Sequence, residues 1–240
     1  MGAMIRVVLV ETTHPGNIGA AARAMKAMGL SRLCLVNPAR FPHAEATARA
    51  SGADDLLVAA EVHESLASAI AGCRLVVGAS ARRRRLACPE LDPRQCAERA
   101  VAEAAFGEVA VVFGRERNGL TNQELDLCHH LVHIPTVPDF ASLNVASAVQ
   151  LVAWEIREAV LRADAPPAGV EEEDDLPDAG EMERFYAHLE EVLVEIEFLD
   201  PNNPRHLMRR LRRLYNRARP DRTELNILRG ILTAVQRRAK

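Results

Sequence analysis

The 240-residue chain is 48% hydrophobic and 26% charged, with a mean hydropathy close to zero, a composition that excludes intrinsic disorder. No window approaches the roughly 18 uninterrupted apolar residues of a membrane span, and the N-terminus lacks the pattern of a signal peptide. The formal net charge is only −3, and the five cysteines, odd in number and without a CxxC pair, argue against a disulfide framework or zinc ribbon and for a reducing, cytoplasmic setting.

From Met4 to about Ala163 short apolar runs alternate with helical patterns. The runs are Ile5–Val10, Leu33–Val36, Leu75–Gly78, Val109–Phe113 and Leu131–Ile134. After the first, Ile18, Ala21, Ala22, Met25 and Met28 recur with helical spacing up to Gly29. Asp92-Pro93 opens another helix, and Thr121 with Glu124 forms a capping box. Strands that are apolar throughout and alternate with helices predict an α/β domain over residues 4–163, its parallel sheet covered on both faces.

Residues 164–178 (DAPPAGVEEEDDLPD) carry Pro, Gly and a run of acids without periodicity, and read as a linker. Beyond it, residues 179–240 predict a small helical domain of three helices. Met182, Phe185, Tyr186, Leu189, Leu193 and Ile196 share one face. Leu207, Met208, Leu211, Leu214 and Tyr215 share a second. Leu225, Leu228, Ile231, Leu232 and Val235 make a third, with Thr223 as the expected N-cap.

Charge is sorted along the chain. Residues 1–169 are close to neutral, residues 170–200 hold 13 acids against Arg184 alone, and residues 205–240 hold 12 basic groups against Asp221 and Glu224. The second tail helix carries Arg209, Arg210, Arg212 and Arg213 on the side opposite its apolar face, and four consecutive arginines, Arg82–Arg85, follow a strand. Paired basic patches on a neutral body point to a polyanion such as a phosphate backbone. The bland alternative is that the acidic segment neutralises the tail. With one Trp, two Tyr and six Phe, binding by stacking on single strands is disfavoured.

Three polar, glycine-containing segments lie where strands end: Glu11–Gly19, Phe113–Thr121 and Ile134–Asn144. Loops at the C-terminal ends of parallel strands build the binding crevice. Familiar nucleotide motifs fail: Gly114 and Gly119 have P-loop spacing, but Leu120-Thr121 follow in place of Lys and Ser/Thr, and no G-x-G-x-x-G follows the first strand. His129, His130 and His133 have no acidic or cysteine partner nearby in sequence, so no metal is expected there.

THPGNIGAAARAMKAMGL, VFGRERNGLTNQEL and SLNVASAVQLVAWE resemble the three signature segments of the SPOUT class of RNA 2′-O-ribose methyltransferases. ERFYAHLE, LRRLYNRARP and ELNILRGIL resemble the tails of its bacterial tRNA (cytidine/uridine) members, which modify position 32 of the anticodon loop. The resemblance covers Met4 to about Arg238. It implies a C-terminal trefoil knot in the parallel sheet, S-adenosylmethionine as cofactor, and a homodimer with composite active sites. Carried over by motif, the cofactor pocket takes Ala79, Ser80, Ala81, Gly114, Ile134, Ala141, Ser142 and Leu143. Asn17, Arg23 and Asn144 become the polar groups at the reacting ribose, and Glu116 orients neighbouring arginines or loop amides. Arg82, Arg83, Arg84, Arg85 and Arg115 would line the crevice for tRNA while the tail arginines grip its body. The rivals are a ribosomal RNA methyltransferase of the same fold and a non-catalytic RNA-binding protein that kept it.

Overall fold

The computed structural model describes residues 4–81, 88–137, 139, 142–163 and 176–239; Arg82–Arg85 and Ala141 lie outside them. In chain order the elements are β1 (Ile5–Val10), α1 (Pro15–Ala27), β2 (Arg32–Val36), α2 (Ala44–Ala50), α3 (Asp54–Val58), β3 (Glu61–His63), α4 (Leu66–Ile70), β4 (Cys73–Ala79), β5 (Glu90–Leu91), α5 (Pro93–Glu103), β6 (Glu108–Phe113), α6 (Asn122–Asp126), β7 (His130–Val132), α7 (Val145–Arg162), α8 (Ala179–Glu195), α9 (Leu207–Ala218) and α10 (Arg222–Ala239).

The seven strands form one sheet in the order β3-β2-β1-β6-β4-β7-β5, with every pairing parallel. All six residues of β1 are buried because both faces are covered. Ile5, Val7 and Leu9 join the larger core with α1, α5 and α7, and Val8 and Val10 join the smaller core with α4 and α6. That is the strand alternation of period two with an apolar layer on either side. Helix α1 lies close against α2: a Cβ on Gly19 would collide with the Ala46 carbonyl, so only glycine fits there.

All five expected strands form, with small shifts of boundary. The last one ends at Val132, leaving Ile134 outside the ladder. β3 and β5 are additional, and at three and two residues they are too short to show a period. The expected capping box forms at Thr121 with Glu124, and the expected helix start at Asp92-Pro93 turns out to be a second box, closed by Gln95.

The extension has its own core, in which Met182, Phe185, Tyr186, Leu189 and Val192 of α8 meet Leu225 and Leu232 of α10. The rings of Phe185 and Tyr215 pack edge to face, 4.9 Å between centroids. Four expectations here are corrected. Ile196 and Leu214 are over 40% exposed and Ile231 is 55% exposed, since the core that the three helices share closes without them. The N-cap of α10 is Asp221, not Thr223. Asp221 Oδ1 accepts from the Glu224 backbone N at 2.7 Å and Glu224 Oε2 accepts from the Asp221 N at 3.0 Å, a reciprocal box that starts the helix two residues earlier.

The extension sits on the α/β domain through polar links. Gly180 N donates to Ala71 O at 2.8 Å, and Arg219 reaches Glu103 at 2.9 Å, a carboxylate also held by Arg74. Arg209 reaches Asp126 at 2.9 Å. Glu103 is only 8% exposed. Burial pushes its carboxyl up, and the hydrogen bonds from Arg219 and Arg74 more than offset this to hold it below the usual range.

Candidate active site

The three signature segments meet at the C-terminal edge of the sheet, joined by one chain of hydrogen bonds. Asn144 is the N-cap of α7, and its Oδ1 accepts from Ala146 N at 2.9 Å. That leaves its Nδ2 to donate to Asn17 Oδ1 at 3.0 Å. Asn17 Nδ2 then donates to Glu116 Oε1, again at 3.0 Å. The direction of the relay follows from its two ends, since a capping oxygen and a carboxylate both only accept. Glu116 also accepts from the Thr13 backbone N and hydroxyl and from the His14 N, at 3.0 to 3.2 Å. Burial raises its carboxyl, but these donors outweigh that and hold it below the usual range. Glu116 therefore orients loop amides and Asn17, and has no arginine partner among the described residues.

The second loop is a tight return from β6. Arg115 and Gly119 exchange backbone hydrogen bonds, Gly119 takes φ +64°, and a Cβ on Gly114 would run into the backbone of Gly119 and Leu120. Arg115 braces this loop: its Nη1 and Nη2 donate to the two oxygens of Glu124 at 2.9 and 3.0 Å, and its Nε donates to Glu11 at 2.8 Å. These hydrogen bonds, with Glu124 first, raise the guanidinium's pKa further.

Beside the loops opens a cavity of about 470 Å³, lined by Ala79, Ser80, Ala81, Gly114, Ile134, Ser142 and Leu143 together with apolar Phe113, Leu120, Val132, Val145 and Ala148. Its size falls within the roughly 300–1,000 Å³ of small-molecule sites. Seven of the eight residues expected to hold the cofactor thus come together, and the eighth, Ala141, lies outside the described residues. On the lining, Glu116 and Asp139 balance Arg115 and Arg117. S-adenosylmethionine fits such a site: an apolar slot with small residues for close backbone approach.

Other expected residues are placed differently. Arg23 lies two turns along α1 from Asn17, is exposed, does not line the cavity, and has no hydrogen-bond or ion-pair partner among the described residues. Of the expected RNA-binding arginines, Arg115 is held as described, Arg209 and Arg213 face Asp126, and Arg212 pairs with Glu183 at 2.7 Å over the Tyr186 ring. Arg210 is exposed. The neutralisation weighed from the sequence is thus partial: among the described residues of the acidic segment, Glu183 holds Arg212 and Glu181 holds Arg222. The three histidines do not converge. His129 Nδ1 accepts from Val76 N and His133 Nδ1 donates to Ser80 O. Burial pushes His129 and His130 down to about 3 and about 4, so both are neutral. The sequence missed Glu11, Thr13 and Glu124 as parts of the site; Glu124 was legible only as a helix cap.

Comparison with known proteins agrees with this geometry. Residues 4–154 match the SpoU rRNA Methylase family, and residues 180–240 match the tRNA methyltransferase TrmJ C-terminal domain. The tRNA (cytidine/uridine/adenosine-2′-O-)-methyltransferase TrmJ of Pseudomonas aeruginosa is 55% identical over 98% of this chain and 95% of its own. The chain belongs to the TrmJ family of tRNA 2′-O-methyltransferases. The tRNA (cytidine/uridine-2′-O-)-methyltransferase TrmJ of Cronobacter sakazakii is 53% identical over 97% of this chain and 96% of its own. The crystal structure of TrmJ from Z. mobilis superposes with a TM-score of 0.85 at 32% identity, covering 98% of this chain and 100% of that one. The family's fold accounts for loops that carry no ordinary nucleotide motif.

Proposed function

We propose that this enzyme transfers the methyl group of S-adenosylmethionine to the ribose 2′-oxygen of cytidine or uridine at position 32 of tRNA, acting in the cytoplasm as a homodimer. The observation that carries the reading is the Asn144–Asn17–Glu116 relay, which ties all three signature segments together at the mouth of a cavity fit for the cofactor. The name of the P. aeruginosa relative adds adenosine, so acceptance of that nucleoside is a second reading.

The cofactor supplies, when bound, a methyl group on positively charged sulfur. The chain must hold the ribose in line and manage the hydroxyl proton, and alignment alone contributes several kcal/mol, of the ~7–11 kcal/mol available to ideal orientation. Ala79, Ser80, Ala81, Gly114, Ile134, Ala141, Ser142 and Leu143 form the cofactor slot, and Asn17 and Asn144 hold polar groups at its mouth. Arg23 fixes the target phosphate and stabilises the developing oxyanion. It is no literal base, because a guanidinium keeps its proton to a pKa above ~12. Since Arg23 is exposed and away from its own chain's cavity, it serves the cavity of the second protomer. Exposed apolar Leu151, Trp154 and Leu161 along one side of α7 supply a surface for that pairing. Among the described residues no helix is long and apolar enough to cross a membrane.

The same reading includes the knot and the division at 4–163, 164–178 and 179–240. In its support, β4 lies between β6 and β7 and β7 lies between β4 and β5, with both β7 ladders carried one residue further as Ser80 N donates to Val132 O and His133 N donates to Leu91 O. Arg82–Arg85, outside the described residues, are read as tRNA contacts from their charge alone. The test is transfer of labelled methyl into unmodified tRNA transcripts, with the product mapped by nuclease-resistant dinucleotides. Methylation at position 32, reduced about 10³-fold in Arg23→Ala while cofactor affinity holds, is expected. Incorporation elsewhere, or an active Arg23→Ala, overturns it.

A further inference from the structure

The arginines of α9 divide by partner. Arg209 Nε donates to Asp126 Oδ1 at 2.9 Å, Arg213 lies 3.8 Å from the same oxygen, and Asn216 Nδ2 reaches the Asp126 carbonyl at 3.4 Å. Arg205, Arg210 and Arg217 are exposed and have no ion pair among the described residues. Arg210 and Arg217 stand seven residues apart on one side of the helix, about 10 Å along its axis. Asp126 ends α6, and two residues earlier in the same turn Glu124 grips Arg115 of the cavity loop with both oxygens. One short helix thus holds the cavity loop with one carboxylate and the arginine helix with another.

We infer that Asp126 is a positioning residue for methyl transfer: through α6 it fixes α9 relative to the cavity, so that a phosphate backbone held by Arg205, Arg210 and Arg217 delivers its ribose in register. The inference rests on the reading that the extension holds tRNA. Asp126 removes Arg209 and Arg213 from the RNA-facing set, leaving a defined set of free guanidinium groups. Loss of its carboxylate frees two further cations and loosens the register, which favours binding in shifted, unproductive positions. The extension stays docked through Arg219 on Glu103 and Gly180 on Ala71, so the change disturbs alignment and not the fold.

The experiment uses the full chain, S-adenosylmethionine and unmodified tRNA transcript, reading kcat, cofactor KM and tRNA affinity separately. Asp126→Ala is expected to lower kcat at least about tenfold, in line with the ~10²-fold cost of a 1 Å misplacement, with cofactor KM within about twofold and tRNA affinity retained. Arg209→Ala breaks the pair from the other side and is expected to act likewise, so the conclusion does not depend on one variant folding. The double variant should fall no more than about twofold below the worse single one, because both remove one interaction. A kcat for Asp126→Ala within twofold of the parent, or losses that multiply in the double variant, overturns the inference. Arg210→Gln with Arg217→Gln separates it from the underlying reading. That variant is expected to weaken tRNA binding about tenfold and flatten its salt dependence. If tRNA affinity does not change, the reading of the extension fails and the inference with it; if affinity falls but Asp126→Ala is silent, only the inference fails.

Discussion

At the signature loops one carboxylate, Glu116, gathers neutral donors from Thr13, His14 and Asn17, whereas around the extension Asp126, Glu103 and Glu183 each hold guanidinium groups. The two arrangements have opposite electrostatic results. Neutral donors fix the shape of a loop without cancelling the charge of the carboxylate that gathers them. Ion pairs fix the shape of a helix while cancelling charge, which leaves only part of an arginine-rich face available to phosphates. Counting arginines therefore overstates the RNA-binding surface, and the acids that face them must be counted too.

The comparison breaks most readily at Gly114. Gly114→Ala forces the second loop open against Gly119 and Leu120, and cofactor affinity measured by calorimetry should fall about 100-fold, the upper end of an overpacking cost of ~3 kcal/mol. An affinity within threefold of the parent would mean that loop shape does not hold the cofactor.

Next in size, Glu116→Gln keeps the volume but replaces an acceptor with a donor, leaving part of the amide cluster unpaired. We expect kcat to drop about 10- to 100-fold, matching ~1–3 kcal/mol for an unmatched group. Because the folded carboxyl lies below its ordinary ~4.3, its contribution to stability is complete above that pH and is lost as pH falls through the folded value. A variant that unfolds with the parent's acid profile would show that the cluster is not organised by charge.

His129 and His130 sharpen the contrast from the side of the fold. Both are neutral when folded, at about 3 and about 4, and protonate near 6.5 when unfolded, so the unfolded chain binds more protons below that pH. Stability should fall by roughly 1.4 kcal/mol per pH unit for each as pH drops below about 6.5. Urea unfolding of His130→Leu should show about half of that added slope, and an unchanged slope counts against burial as the cause. The smallest effect is expected at Asp178→Ala, which removes the box with Glu181 that starts α8. About 1 kcal/mol should be lost, with methyl transfer at 25 °C unchanged.

Much of the site was legible because it is local. Gly114 and Asn144 lie in a tight return and a helix cap whose residue types are dictated by their own backbone, and Gly114 and Ser142, grouped by motif resemblance, line one pocket. The expectation that Arg209 and Arg213 face RNA did not foresee their partner, since Asp126 is 83 residues from Arg209 and nothing in either segment marks the other, whereas the acid on Arg212, Glu183, belongs to the segment weighed as its neutraliser. Glu11 escaped for the same reason, approaching Arg115 across 104 residues, whereas Glu124, nine residues away, was legible only in its other role as a helix cap. Thr223 was a sound cap by type, but the Asp221 and Glu224 pair makes two reciprocal bonds where Thr223 offers one.

What the amino-acid sequence determined by itself was the alternation of buried strands and helices, the caps, the three loops and the sorting of charge, all set by periodicity and backbone preference within a few residues. The tertiary structure alone decided which charges remain free. An ion pair depends on distances between segments far apart in the chain, and only the packing of α6, α8 and α9 against one another brings Asp126 and Glu183 to their arginines while leaving Arg210 and Arg217 facing water.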